Sequence, residues 1–347
     1  MPPPRLRRLG RGRARTHLRR RDAASSRPHD RARPARGHGR GALSQVVFLV
    51  NPASAGGSTG RRWPELARQA AALGLRGDAR FSEEPAHLRA LAREAAAEGA
   101  ELLVAVGGDG TVNEVVNGLM DGNGAELALI PRGTGADLAR TFGIPSRLED
   151  AVRVVLSGRS RPIDLGRAEY RSWEGASERS YFVNIASVGM SGAVAKRVNE
   201  ASPGWAKLSY LASTLAVFAR WQSCQVKVTV DGEGRSGRML DVIVANCRYF
   251  AGGMLISPQA EPDDGLLDCL LIGDVTKADL VRTLPKIYRG THLPHPKAEL
   301  LRGREIVVEA EDPLPVELDG EQPGTTPARL EVVPRALRLR VPAEPAA

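Results

Sequence analysis

Three glycine-rich runs restrict what this chain can fold into more than any other feature. Each follows a short apolar stretch and precedes a helical pattern. Gln45–Val50 leads into Asn51-Pro-Ala-Ser-Ala-Gly-Gly57, Leu102–Val106 into Gly107-Gly-Asp-Gly-Thr111, and Leu127–Ile130 into Pro131-Arg-Gly-Thr-Gly-Ala-Asp137. Continuous apolar runs of this length read as strands buried on both faces of a parallel sheet. Helices are expected over Arg61–Leu73, Pro85–Glu98, Asn113–Met120 and Ala136–Phe142, with a weak strand at Asp78–Phe81. This alternation predicts an α/β domain, and ligands of such sheets lie beyond the carboxyl ends of the strands.

After Pro162 the pattern changes. Strands are expected over Ile163–Ala168, Tyr181–Ser187, Gln225–Val230, Leu240–Asn246, Leu266–Ile272, Arg304–Ala310 and Leu337–Val341, with helices at Trp205–Trp221 and Lys277–Tyr288. Gln225-Val-Lys-Val-Thr-Val230 alternates as a half-exposed strand should. The second part therefore reads as a mostly antiparallel β domain. Expected boundaries are 44–162 for the α/β domain and 163–330 for the β-rich domain.

The net charge of +9 is misleading as a whole-chain number. Residues 1–43 hold fourteen Arg against Asp22 and Asp30, which leaves the remainder at −3. That segment lacks the apolar residues of a core and is expected to be a disordered tail or the product of a mis-assigned start. With the charge confined there, no nucleic-acid partner is expected. No run approaches the ~18 apolar residues of a membrane span. Cys224, Cys247 and Cys269 are odd in number and widely spaced, so they read as small apolar residues in a reducing cytoplasm.

The loops carry the chemistry. Glycines let backbone N–H groups approach a phosphate, and a following helix start adds orphan donors and a positive dipole end. In the first loop Ser54 can add a hydroxyl. In the second, Thr111 can cap the helix or bond a phosphate, and Asp109 can hold Mg²⁺ or accept a proton from an attacking hydroxyl. In the third, Thr134 is placed like Thr111, and Asp137 and Arg140 follow within a turn. The Walker loop, a full G-x-G-x-x-G after the first strand, the protein-kinase signatures and H-E-x-x-H are all missing. The six His do not cluster as ligands.

Taken in order, these pieces resemble the diacylglycerol kinase catalytic domain family, which includes bacterial lipid kinases and sphingosine kinases. The resemblance runs from Gln45 to Val341. It rests on the Asn51-Pro52 loop, Gly107–Thr111 with Asn113-Glu114, Pro131–Asp137 with Leu138-Ala139-Arg140, Gly252-Gly253, Pro258, Ala260, Asp264-Gly265-Leu266-Leu267-Asp268, and Asp319-Gly320-Glu321. It implies a nucleotide domain of the NAD kinase and phosphofructokinase type, a β-sandwich-like second domain, and a C-terminal segment, 331–347, that returns toward the first.

It also implies a lipid kinase using ATP and Mg²⁺ at the inner membrane surface, peripheral and cytoplasmic. Diacylglycerol is the expected acceptor and a homodimer is left open. An NAD kinase-like phosphotransferase or a silent binding protein of the same fold are the alternatives. ATP contacts carry over to Asn51, Pro52, Ala53, Ser54, Ala55, Ser82, Gly107, Gly108, Asp109, Gly110, Thr111, Asn113 and Thr134. Glu321 and Asp109 both match carboxylates given as general base, and Glu261, Asp264 and Leu266 match a structural Mg²⁺ site. Two departures stand out: Ala55 where the family has Gly, and Ala136 where it has Asn, which is expected to cost a hydrogen bond near the nucleotide.

Overall fold

A computed structural model describes residues 45–122, 124–133, 135–199, 216–218 and 220–343. Residues 1–43, Thr134 and most of the predicted Trp205–Trp221 helix, including Leu208, Leu211 and Leu215, lie outside the described residues. Phe218 is described and is buried.

The first half forms four parallel strands: β1 (Val46–Val50), β2 (Asp78–Phe81), β3 (Leu102–Gly107) and β4 (Glu126–Pro131), in the order β2-β1-β3-β4. Every residue of β1, β3 and β4 is buried, because helices cover both faces. On one face α2 (His87–Ala97) and α3 (Asp109–Met120) place Leu88, Ala92, Val115 and Val116 against Val47, Leu49 and Leu103. On the other, α1 (Ser58–Ala72) and α5 (Leu148–Ser157) place Ala70, Val152 and Val155 against Phe48, Val104 and Ile130. A single turn and a half, α4 (Asp137–Thr141), follows β4. Helix α5 was not among the expected elements.

The second half is antiparallel. Its strands are β5 (Arg159–Ser172), β6 (Ser177–Phe182), β7 (Ile185–Gly189), β8 (Cys224–Val230), β9 (Glu233–Ala245), the short β10 (Tyr249–Phe250) and β11 (Met254–Leu255), β12 (Leu267–Gly273), β13 (Ala298–Gly303), β14 (Glu305–Ala310), β15 (Pro315–Leu318) and β16 (Glu321–Val341). Val226, Val228 and Val230 of β8 pack with Val242, Val244, Cys269, Ile306 and Val308. Helices α6 (Met190–Asn199) and α7 (Lys277–Arg289) lie outside the strands. The 21-residue β16 pairs antiparallel with β5 and reaches β4, where Leu339 aligns parallel with Leu127.

Two expected elements change. The strand Tyr181–Ser187 is two strands, broken at Val183-Asn184. The cause is a buried carboxylate: the N–H groups of Val183, Asn184 and Ile185 donate to Asp319 at 2.7, 2.9 and 3.0 Å. The helix expected from Asn113 starts at Asp109, with Gly108 as its N-cap. Asp109, Gly110 and Thr111 are thus a first helical turn rather than a free loop.

Candidate active site

All three glycine-rich segments lie at the carboxyl ends of β1, β3 and β4. Asn51 continues β1, its N–H donating to the Val106 carbonyl at 3.1 Å. Its amide Nδ2 donates to Thr111 Oγ1 at 3.1 Å, and its Oδ1 accepts the Ala53 N–H at 3.0 Å. The Ser54 hydroxyl lies 2.9 Å from the Asn51 carbonyl and 2.7 Å from Thr59 Oγ1. It holds the loop rather than pointing outward. Ala55, Gly56 and Gly57 then take φ of 52, 63 and 77° in succession, which reverses the chain into α1. Ser82 follows β2 beside the end of β1, its N–H donating to the Val50 carbonyl at 3.0 Å.

Thr111 does not cap α3, and its side chain is buried against Gly107, where a Cβ would lie 2.2 Å from Thr111 Oγ1. The glycines are required by close approach: a Cβ on Gly133 would lie 2.5 Å from the Cα of Gly108. The Arg132 N–H donates to the Gly107 carbonyl at 2.7 Å and locks the second and third segments together.

Asp109 crosses between them. Its Oδ1 accepts the Asp137 and Leu138 N–H groups at 2.9 and 3.2 Å, so it serves as the cap that α4 lacks in its own sequence. Asp137 reaches onward, accepting from Arg140 at 2.7 Å and from the Gly252 N–H at 2.8 Å. The Arg140 guanidinium lies over the Tyr249 ring. One network therefore joins the α/β sheet to the β10–β11 hairpin. Burial raises the Asp109 pKa; burial and the nearby Asp109 push Asp137 up to about 6.

The departures from the family acquire a physical meaning here. Ala55 and Ala136 both sit at left-handed φ, 52 and 50°. Gly and Asn are the residues that tolerate this region.

Glu321 arrives from the other half. It opens β16 after the two-residue turn Asp319-Gly320, both at positive φ (50 and 96°), the geometry that favours Asp-Gly in tight hairpins. A Cβ at Gly110 would lie 3.6 Å from its Oε1, so the carboxylate stands over the first turn of α3. It accepts no hydrogen bond from a described residue; burial, then the Glu114 charge, raise its pKa.

Asp319 fixes this turn. Beyond its three backbone donors it accepts Asn113 Nδ2 at 2.9 Å. Asn113, expected at the nucleotide, also donates to the Tyr181 carbonyl at 3.1 Å and so ties α3 to the β-rich half. Asn117 adds two bonds to the Tyr181 backbone, 2.9 and 2.8 Å. Glu114 caps α2 through the Leu88 N–H at 3.0 Å. Buried Glu317 bonds Ser187 Oγ at 2.7 Å and accepts the Gly320 N–H. None of Asn117, Asp319 and Glu317 was assigned a role from sequence, although the Asp-Gly pair beside Glu321 signals a tight turn.

Glu261, Asp264 and Leu266 share one turn. The Asp264 N–H donates to the Glu261 carbonyl at 3.4 Å and the Leu266 N–H to Asp264 Oδ1 at 3.0 Å. Asp264 Oδ2 is ion-paired with Arg302. No group of three or more His, Cys, Asp or Glu converges among the described residues. A hard cation needs oxygen donors with uncompensated charge. In this arrangement Arg302 pairs with the Asp264 carboxylate, and a cation at this turn would compete with it for Oδ2.

A parallel sheet with glycine turns and helix N-termini at its carboxyl edge, faced by an unengaged carboxylate, defines a site of the phosphotransferase class. The diacylglycerol kinase catalytic domain matches residues 45–168, and the YegS C-terminal NAD kinase beta sandwich-like domain matches residues 184–341. A diacylglycerol kinase from Mycobacterium tuberculosis (strain CDC 1551 / Oshkosh) is 30% identical over 258 residues, 73% of this chain and 81% of that protein. A Pseudomonas aeruginosa (strain UCBPP-PA14) protein described as "Probable lipid kinase YegS-like" is 35% identical over 267 residues, 76% and 84% of the two chains. Among solved structures, a diacylglycerol kinase from Bacillus anthracis str. Sterne superposes with TM-score 0.65 at 21% identity, covering 87% of this chain and 98% of that one. The chain belongs to the diacylglycerol kinase catalytic domain family and is a lipid kinase.

Proposed function

We propose that this enzyme transfers the γ-phosphate of ATP to the free hydroxyl of diacylglycerol, giving phosphatidic acid. In this reading residues 44–162 bind ATP, residues 163–330 bind the lipid, and the chain meets its acceptor at the inner membrane surface. Among the described residues no helix is long and apolar enough to cross a membrane.

The observation that carries the reading is the placement of Glu321 over Gly110 at the start of α3. Orphan N–H groups of that first turn stabilise phosphate charge, and the glycine backbones at 107, 108 and 133 let the phosphates lie close. Glu321 takes the proton of the lipid hydroxyl as its oxygen forms a bond to the γ-phosphorus. The bond from that phosphorus to the bridging oxygen breaks, and ADP leaves. Glu321 is favoured over Asp109 as base because Asp109 Oδ1 already holds two backbone N–H groups. Asp109 Oδ2 lies outside that pair of bonds and is an oxygen donor suited to Mg²⁺, which supplies charge neutralisation at the phosphates.

Radiolabelled ATP with total extracted lipid, and mass spectrometry of the product, tests the reading. Phosphatidic acid is the expected product, with NAD unlabelled. Glu321→Gln is expected to lower kcat by about 10²–10⁴-fold with ATP binding retained. A variant that keeps wild-type kcat removes Glu321 as base; labelling of NAD instead of lipid overturns the substrate.

A further inference from the structure

Large apolar side chains are rarely bare on this protein, yet α7 exposes two of them among the described residues, Val281 (60%) and Tyr288 (48%). No other helix or strand described exposes more than one. The inner face of α7 is already satisfied. Leu280 packs with Met190, Val194 and Leu240, and Ile287 lies against Ile243, Ile256 and Leu270. Val281 and Tyr288 are two helical turns apart and form a second apolar stripe, on the solvent side.

Cations flank that stripe. Lys277, Arg282, Lys286 and Arg289 are all exposed, and Arg282 and Arg289 repeat the spacing of Val281 and Tyr288 one residue on. None of the four pairs with an acid among the described residues. The one acid of the helix, Asp279, is held in a capping box with Thr276. Residues 44–347 sum to −3, so α7 gathers unpaired positive charge on a body that is otherwise slightly negative.

The helix ends beside the reaction centre. A Cβ at Gly290, its C-cap, would lie 2.8 Å from Leu255 Cδ2 of β11. The β10–β11 hairpin in turn leads to Gly252, whose N–H donates to Asp137. Burial, then the charge of Asp137, raise the Tyr288 pKa, so the phenol lies within electrostatic reach of the third glycine segment.

We propose that the outer face of α7 is the surface on which this enzyme docks to a bilayer containing anionic lipid. Val281 and Tyr288 enter the headgroup layer, and the four cations face the lipid phosphates. An acidic protein would complement the cations alone. A bare apolar stripe edged by Lys and Arg is the composition of a helix that lies in a membrane interface, and a tyrosine suits headgroup depth because its body is apolar and its tip polar. The inference rests on the reading of the acceptor as a membrane lipid and names the surface that brings the reaction centre to it.

The test is co-sedimentation of the full chain with phosphatidylcholine vesicles, with and without phosphatidylglycerol, in the absence of ATP. Binding to the mixed vesicles is expected, weakening as salt rises. Arg282→Glu with Arg289→Glu should weaken it about 25-fold or more, roughly fivefold for each cation lost, and flatten its salt dependence. Val281→Ser with Tyr288→Ser should weaken it about tenfold and leave the salt dependence in place. Arg76→Glu with Arg93→Glu, two exposed cations of the α/β half, controls for net charge and should change little. All of these side chains are exposed, and circular dichroism checks that each variant folds. A wild-type chain that binds neither vesicle overturns the inference and leaves this face to an acidic protein. Binding that the α7 reversals leave unchanged, or that the control pair weakens equally, overturns it too and assigns attachment to other cations, those of residues 1–43 included. None of these readouts uses turnover, so their failure is separate from failure of the diacylglycerol reading, which the labelled product decides.

Discussion

Replacing Glu317 by Gln should make the protein more stable, and only above acid pH. Glu317 is buried, bonded to Ser187 and to the Gly320 N–H behind the turn that presents Glu321. Burial, then the negative charges of Asp319 and Asp241, push its pKa from 4.5 to about 8. A carboxyl whose pKa rises on folding contributes stability that is fully present below about pH 4.5 and is lost as pH rises through about 8. Each pH unit in that window costs about 1.4 kcal/mol. At pH 7 the interval above 4.5 is 2.5 units, or about 3 kcal/mol. Glutamine can satisfy the same two partners, its oxygen accepting from Gly320 and its amide donating to Ser187, without an ionisation in the unfolded chain. The variant should therefore match wild type near pH 4.5 and exceed it by about 3 kcal/mol at pH 7. Urea unfolding of both proteins across this range measures the difference. A gap that does not grow with pH, or a variant less stable at pH 7, refutes the argument.

Ala55→Gly and Ala136→Asn place tolerant residues at φ of 52 and 50°, and each should raise stability by about 1 kcal/mol in thermal unfolding. Gly133→Ala puts a Cβ 2.5 Å from the Gly108 Cα. It should force the second and third loops apart and weaken ATP affinity at least tenfold by titration, with circular dichroism unchanged. In a pH–rate profile, kcat/KM should fall on the acid side at a pH above the usual carboxylate range, because burial and Glu114 raise the pKa of Glu321. Glu114→Gln should move that limb to lower pH; an unmoved limb assigns it to another group.

The α/β half was legible because its strands are buried on both faces and must be uniformly apolar. β2 runs over the expected residues 78–81, and β1, β3 and β4 depart from expectation by a residue or so at an end. The placement of the glycine runs also followed from sequence, since only glycine permits backbones as close as those of Gly108 and Gly133. Long-range use of polar side chains was not legible. The break at Val183-Asn184 is set by Asp319, more than 130 positions away, and no local pattern encodes it. Helix α3 begins at Asp109 although Asp109, Gly110 and Thr111 read as loop, because Asp109 is held by backbone N–H groups of α4. The family resemblance is what places Asn113 at the nucleotide. Its amide also bonds Tyr181 and Asp319, partners contributed by the other half of the chain, which no local pattern announces.

These long-range bonds share a direction. Asp109, Asn113, Asn117, Asp319 and Glu317 form bonds between segments far apart in sequence, and all of them converge on the ground between α3 and the Asp319-Gly320-Glu321 turn. A base carried on the second half can act on a phosphate held by the first only if the two are fixed to within a fraction of an ångström. Apolar packing cannot supply that precision, because it is non-directional. Directional bonds to buried carboxylates can, at the cost of holding several acids in a dry interior. The raised pKa values of Asp109, Asp319 and Glu317 reflect that cost. Glu321 is the one carboxylate here that no described residue bonds, and for that reason the proposed mechanism gives it the proton of the acceptor hydroxyl.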